Sequence, residues 1–189
     1  MWESWAFAQI QASSLTSPSH KACAIDFVRT NLMVANYQLK QLQPADCGAV
    51  REIYADAIES QGAGFYTKEQ IQAWSALAWL PGILDVPLGE GRGWISLENQ
   101  KFAAFAVRHP ADRLALLYCR GLFSRRGHAS FLLNHVESEA LKEGHVHLVA
   151  EASLFSYPLF LRRGWQFLGI ETVALGGVIF DRYRMEKTF

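Results

Sequence analysis

A continuous apolar stretch, Leu114 to Cys119, runs through Arg120-Gly121-Leu122-Phe123 and Ser124-Arg125-Arg126-Gly127-His128-Ala129 into a strongly amphipathic helix. A strand apolar on both faces is central and covered on both sides, so helices must pack above and below its sheet. Ala129, Leu132, Leu133, Val136, Ala140 and Leu141 form the helix's apolar stripe, and Gly144 suits the left-handed residue after its end. The junction also carries chemistry. The first turn of a helix has free N–H groups pointing outward, and the macrodipole adds positive character there, so the site favours an anion. Gly127 lets the backbone approach a ligand closely. Ala129 keeps the next inward position small, and Arg125 and Arg126 offer forks suited to phosphate oxygens. Strand–loop–helix turns with one glycine are common, and most bind nothing. A Walker loop is excluded because no Gly-Lys-Ser/Thr ending follows, and the additional glycines of a dinucleotide fingerprint are missing.

The rest of the chain alternates strands and helices. Tyr37, Leu39 and Leu42 predict a strand closed by Pro44, and Val50, Ile53, Tyr54, Ala57 and Ile58 predict a helix ending near Gly62-Ala63-Gly64. Thr67 with Gln70 forms a capping box opening a second helix that carries Ile71, Trp74, Leu77 and Ala78 on one side. Pro81 to Gly93 reads as loop. Trp94–Glu98 and Phe102–Arg108 read as strands joined by a tight turn at Asn99-Gln100. After the amphipathic helix come a strand at Val146–Ala150 and a short helix at Ser156–Arg163 closed by Gly164. Strands at Phe167–Leu175 and Tyr183–Thr188 finish the chain. Residues 1–33 stand apart as an N-terminal extension, with short helices expected on either side of a small, polar stretch at 12–19. Met33 is a candidate natural initiator, which leaves 34–189 as the folded domain.

Charge and cysteines narrow the function. Lys plus Arg (18) equals Asp plus Glu (18), so no broad positive field exists to attract nucleic acid or an anionic membrane. Cys23, Cys47 and Cys119 are odd in number and lack metal-site spacing, which fits a reducing cytosol rather than a disulfide scaffold. His145 and His147 alternate along one strand without a third ligand nearby, so no metal is expected. No segment reaches the roughly 20 apolar residues that span a bilayer, and Glu3 stands where a signal peptide carries basic charge. The expectation is a soluble, cytoplasmic protein.

The run from Leu117 through Ser124-Arg125-Arg126-Gly127-His128-Ala129 to Leu133 resembles the coenzyme A motif of the GNAT N-acetyltransferases, and Pro158-Leu159-Phe160-Leu161-Arg162-Arg163-Gly164-Trp165 is similar to a later motif of that family. Tyr66-Thr67-Lys68-Glu69-Gln70-Ile71 and Arg184-Met185-Glu186-Lys187 resemble a branch of small single-domain members. The resemblance implies an α/β acyl-CoA N-acyltransferase fold, with a mixed, mostly antiparallel central sheet flanked by helices. It also implies acetyl-CoA as co-substrate, whose pyrophosphate meets Ser124, Arg125, Arg126, Gly127, His128, Ala129 and Ser130. The pantetheine arm then pairs with Leu117, Tyr118 and Cys119 like an added strand, with Phe155 and Phe160 close by. That arrangement requires two parallel strands that part after Cys119. The implied reaction is direct transfer to a primary amine of a small molecule, and the family's frequent dimers make a homodimer an expectation.

Four positions depart from the pattern. Ser124 stands in place of Gln or Arg, Gly121 in place of proline, and Phe160 where many members carry a tyrosine that protonates the departing thiolate; a fourth departure is Phe155, where many members have Asn. Phenylalanine has no proton to give. Tyr157, Glu151 and His109 are the candidates for acid–base work. Cys119 as a nucleophile lacks a neighbouring His or Asn motif. A non-catalytic acyl-CoA sensor on the same fold is the alternative that these departures leave open.

Overall fold

The computed structural model describes residues 37–189; the expected helices of the extension and the Met33 start lie outside the described residues. Seven strands form one sheet in the order β1-β2-β3-β4-β5-β7-β6. In chain order the elements are β1 (Gln38–Gln41), α1 (Cys47–Gln61), α2 (Lys68–Ala76), α3 (Asp85–Glu90), β2 (Arg92–Glu98), β3 (Lys101–Arg108) and β4 (Arg113–Cys119). Then follow α4 (His128–Lys142), β5 (His147–Ala152), α5 (Tyr157–Arg162), β6 (Gln166–Leu175) and β7 (Val178–Thr188). Every pairing is antiparallel except β4 with β5, which is parallel. The mixed, mostly antiparallel sheet matches the expected fold class.

Local chemistry explains the elements. Asn99 and Gln100 both adopt positive φ (50° and 63°), as the mirror-image turns that match strand twist require. Thr67 Oγ accepts from the Gln70 amide and Gln70 Oε1 from the Thr67 amide, completing the capping box of α2. Gly144 and Gly164 take φ of 85° and 77° after α4 and α5. Among the described residues no helix is long and apolar enough to cross a membrane.

Three sequence expectations are corrected. The segment expected as loop contains α3. Asp85 accepts the Gly82 amide at 2.7 Å, Leu88 is buried, and Pro87 falls in the first turn, where a missing N–H costs nothing. β7 begins at Val178 rather than Tyr183, because Gly176 and Gly177 (φ 57° and 82°) form the hairpin turn. Asp181 and Arg182 hid that start. Finally, Ala129 is half-exposed and Leu141 exposed, while His128 takes the inward place at the start of α4.

Each face of the sheet has its own core. On one side α1 and α2 bring Ile53, Ile58 and Trp74 against Phe105 and Leu116. On the other, α4 and α5 bring Leu132, Leu133, Val136 and Phe160 against Leu148 and Met185. Truncating Leu148, which is fully buried, to alanine is expected to cost about 2–5 kcal/mol in urea unfolding. The same change at Leu122, 70% exposed, should shift the midpoint by less than about 0.5 kcal/mol.

Candidate active site

The parallel strands β4 and β5 share only two register pairs, Arg113 with Val149 and Leu114 with Ala150. Beyond them the strands part. The opening therefore begins after Leu114 and not after Cys119, so most of β4 borders it. Arg120 donates its amide to Ala103 on the β3 side. By strand alternation the N–H and C=O groups of Leu117 and Cys119 then turn towards the opening. Gln61 at the end of α1 reaches in and donates Nε2 to the Cys119 carbonyl (2.6 Å), while its Oε1 accepts from Ser124 Oγ (2.8 Å). Ser124 thus fastens the loop to α1.

Beyond Cys119 the chain turns through Gly121, whose amide donates to Asp56 Oδ2 at 2.7 Å. A side chain there would run into Ser60, which accounts for glycine at this place. Arg125 (φ 62°) and Gly127 (φ 98°) both adopt left-handed conformations, curling the loop ahead of α4. Phe131 makes the first helical bond, to the Gly127 carbonyl. Among the described residues, none of the amides from Arg125 to Ser130 has a hydrogen-bond partner. Free amides at the N-terminus of a helix as long as α4 suit an anion. This is where sequence reading put the pyrophosphate contacts.

The loop's side chains depart from expectation. The His128 ring points inward and is buried, with Nδ1 2.8 Å from Ser96 Oγ and Nε2 3.0 Å from Glu98 Oε2. A carboxylate only accepts, so Nε2 carries the hydrogen towards Glu98. Arg126 does not reach outward: it donates to Glu98 Oε1 at 2.7 Å and lies over the Phe123 ring. Tyr37 donates its hydroxyl to the Arg126 carbonyl, and its ring stands 4.7 Å from that of His128. Sequence reasoning missed Ser96, Glu98, Tyr37 and Gln61. The one available signal was a serine and a glutamate at alternate places in the otherwise apolar stretch Trp94–Glu98 of β2.

A cavity of about 280 Å³ lies beside the opening. Its walls include β4 from Arg113 to Tyr118, the aromatic residues Tyr54, Tyr66, Trp74, Phe155 and Phe180, and Phe160 from α5. Of the three acid–base candidates, His109 and Glu151 line this cavity. Glu151 Oε2 accepts twice from Arg113 (2.9 and 2.6 Å), a pairing that favours a bound carboxylate over a free base. Tyr157 lies outside the lining, its ring packed 4.3 Å from Tyr183 and against Phe167. It is a packing residue in this arrangement. Burial pushes the Cys119 thiol up to about 12, so it is inert as a nucleophile near neutral pH.

Glu98 is held below its ordinary value of 4.5, first by the hydrogen bond from His128 and then by Arg126, against the opposing effect of burial. A carboxyl whose native pKa is depressed stabilises the fold above its unfolded-state pKa and loses that contribution as pH falls through the native one. Acid titration of thermal stability should therefore show a loss below about pH 4.5 that is shallower in Glu98→Gln. Identical acid limbs in the two proteins would discount this ion pair.

No protein-family model matches the chain. It is 27% identical over 156 residues to YafP, an uncharacterized N-acetyltransferase of Escherichia coli strain K12, covering 79% of this chain and 95% of the relative. The fold matches a GCN5-related N-acetyltransferase from Rhodopseudomonas palustris (TM-score 0.77, 24% identity, 80% of this chain and 95% of the other). It also matches the PaiA N-acetyltransferase from Thermoplasma acidophilum, solved with coenzyme A (TM-score 0.58, 15% identity, 81% and 99%). The free amides, the parallel pair that parts beside them and these likenesses agree: the chain has the fold of the GNAT N-acetyltransferases and is similar in sequence to one protein named an N-acetyltransferase.

Proposed function

We propose that the protein transfers the acetyl group of acetyl-CoA directly to a primary amine of a small molecule. The observation that carries this reading is the run of unpartnered amides from Arg125 to Ser130 at the head of α4, next to β4 backbone that faces the opening. The pyrophosphate takes the amides. The pantetheine arm, itself an amide chain, pairs with Leu117 and the Cys119 N–H as a strand would. The thioester then lies between β4 and the β5–α5 segment. A backbone donor of β4 polarises its carbonyl as negative charge develops on the oxygen. The amine enters from the α1–α2 side, through the aromatic cavity, and must arrive neutral to attack. Holding the two reactants in one oriented gap supplies a large part of the acceleration.

Titration calorimetry should show one acetyl-CoA bound per chain, and thiol release should follow with at least one member of a primary-amine panel. Binding without turnover on any amine would instead favour the sensor reading. Gly127→Ala should weaken acetyl-CoA binding by roughly tenfold. A Cβ at φ 98° is strained and runs into the Tyr37 hydroxyl, and left-handed strain of about 1–2 kcal/mol corresponds to that factor at 1.36 kcal/mol per decade. Unchanged affinity would remove the loop from the binding site.

A further inference from the structure

We propose that the Tyr66 hydroxyl protonates the departing coenzyme A thiolate, replacing the donor that Phe160 cannot be; this rests on the transferase reading above. Five residues with hydroxyl groups line the cavity: Tyr54, Tyr66, Tyr118, Ser153 and Ser156. The serine pair is engaged in its own turn, with Ser153 Oγ donating to Ser156 Oγ at 2.8 Å and Ser156 Oγ to the Ser153 carbonyl at 3.3 Å. Those bonds hold the start of α5 in shape. Tyr54 and Tyr118 pack with ring centroids 4.5 Å apart. Tyr118 is further stacked on Phe105, and burial drives both phenols far above their ordinary range. They belong to the core.

Tyr66 is held differently. It follows the turn that ends α1, with its amide bonded to the Gly62 carbonyl. Its ring is fixed by Trp74 (centroids 5.4 Å apart, edge-on), Phe180 (5.8 Å) and Phe155 (6.3 Å). Its oxygen accepts the Leu154 amide at 2.8 Å. The oxygen is therefore pinned just past the end of β5, across the opening from β4. The Ser153 hydroxyl stands beside it but is already engaged with Ser156 Oγ and the Ser156 amide, which leaves the Tyr66 proton for whatever enters the gap. Burial raises its pKa above the ordinary phenol value, which keeps it protonated at neutral pH, as a donor must be. The Leu154 N–H adds a second benefit: it steadies the oxygen as negative charge forms there.

The step balances. The amine nitrogen bonds to the thioester carbonyl carbon, and the carbon–sulfur bond breaks. Sulfur takes the Tyr66 proton, and the tyrosinate recovers a proton from the new ammonium nitrogen through water. The products are an amide and a free thiol, with Tyr66 restored.

The test uses the full chain, wild type and Tyr66→Phe, with an amine that the wild type acetylates. Phenylalanine keeps the ring packing and removes only the O–H. The variant should bind acetyl-CoA with unchanged affinity by calorimetry while kcat falls about 100-fold, within the range general acids contribute. With an acetyl thioester of 4-nitrothiophenol, whose thiolate leaves without protonation, the two proteins should react at rates within about threefold. A kcat within threefold of wild type on acetyl-CoA would overturn the assignment, as would an equal loss on both donors. If the wild type binds acetyl-CoA yet acetylates no amine, the transferase reading itself fails and Tyr66's role with it. Turnover by the wild type that survives Tyr66→Phe sinks only the donor.

Discussion

The parting of β4 from β5 governs this molecule. Parallel neighbours in a sheet normally satisfy each other's backbone along their length, yet these two share only their first two register pairs. The consequence is partly buried backbone facing a gap at Leu117 and Cys119. Such groups are costly unless something bonds to them. The fold answers at one position by spending a side chain, Gln61 on the Cys119 carbonyl. Elsewhere it leaves the groups exposed to a ligand. A chain-like ligand with its own amides suits the place better than a compact one, because it repeats the spacing of the strand it replaces.

The sheet also separates two kinds of work. On the α4 and α5 side the packing is aliphatic around Leu132, Leu133 and Leu148, closed by the edge-on pair Phe160 and Trp165 (5.0 Å). That side anchors the long helix whose first turn supplies the amide nest. On the α1 and α2 side the packing is aromatic: Tyr66, Trp74, Phe155 and Phe180 meet one another edge-on or tilted. Rings with only two side-chain torsions build a cavity wall at low entropic cost. These rings line the cavity, so on the proposed reading acceptor selection and co-substrate binding fall to different cores.

The sequence exposed whatever depended on neighbours along the chain. The capping box at Thr67 and Gln70, the turn at Asn99-Gln100 and the doubly apolar β4 each rest on a few consecutive residues. The glycine-containing loop before α4 does too, and all took the expected form. What escaped depended on distant partners. Ser96, Glu98 and His128 form one buried polar cluster only because β2 and the head of α4 meet. A histidine at the start of a helix looks like any solvated residue until its partners are known. Tyr157 shows the same dependence on distant partners: named as an acid–base candidate, it packs its ring against Tyr183 and Phe167. The start of the parting was equally hidden, since Ala115 and Leu116 carry no mark distinguishing paired from unpaired backbone.

The polar cluster also changes how the nest recognises an anion. Two arginines beside a phosphate loop invite an explanation by charge, but Arg126 is paired with Glu98, leaving Arg125 as the loop's one arginine without an ion pair among the described residues. Glu98 further takes the hydrogen of His128, so one of the loop's two arginines is balanced before a ligand arrives. The chain as a whole carries no net charge. On the proposed reading, recognition therefore rests on amide dipoles and the helix terminus, which act over one turn and demand the right backbone. Direction replaces net attraction. The conformations of Arg125 and Gly127 then matter more than the sign of any nearby side chain. Tyr37, His128 and Glu98 serve by holding that backbone in place from the side away from the ligand.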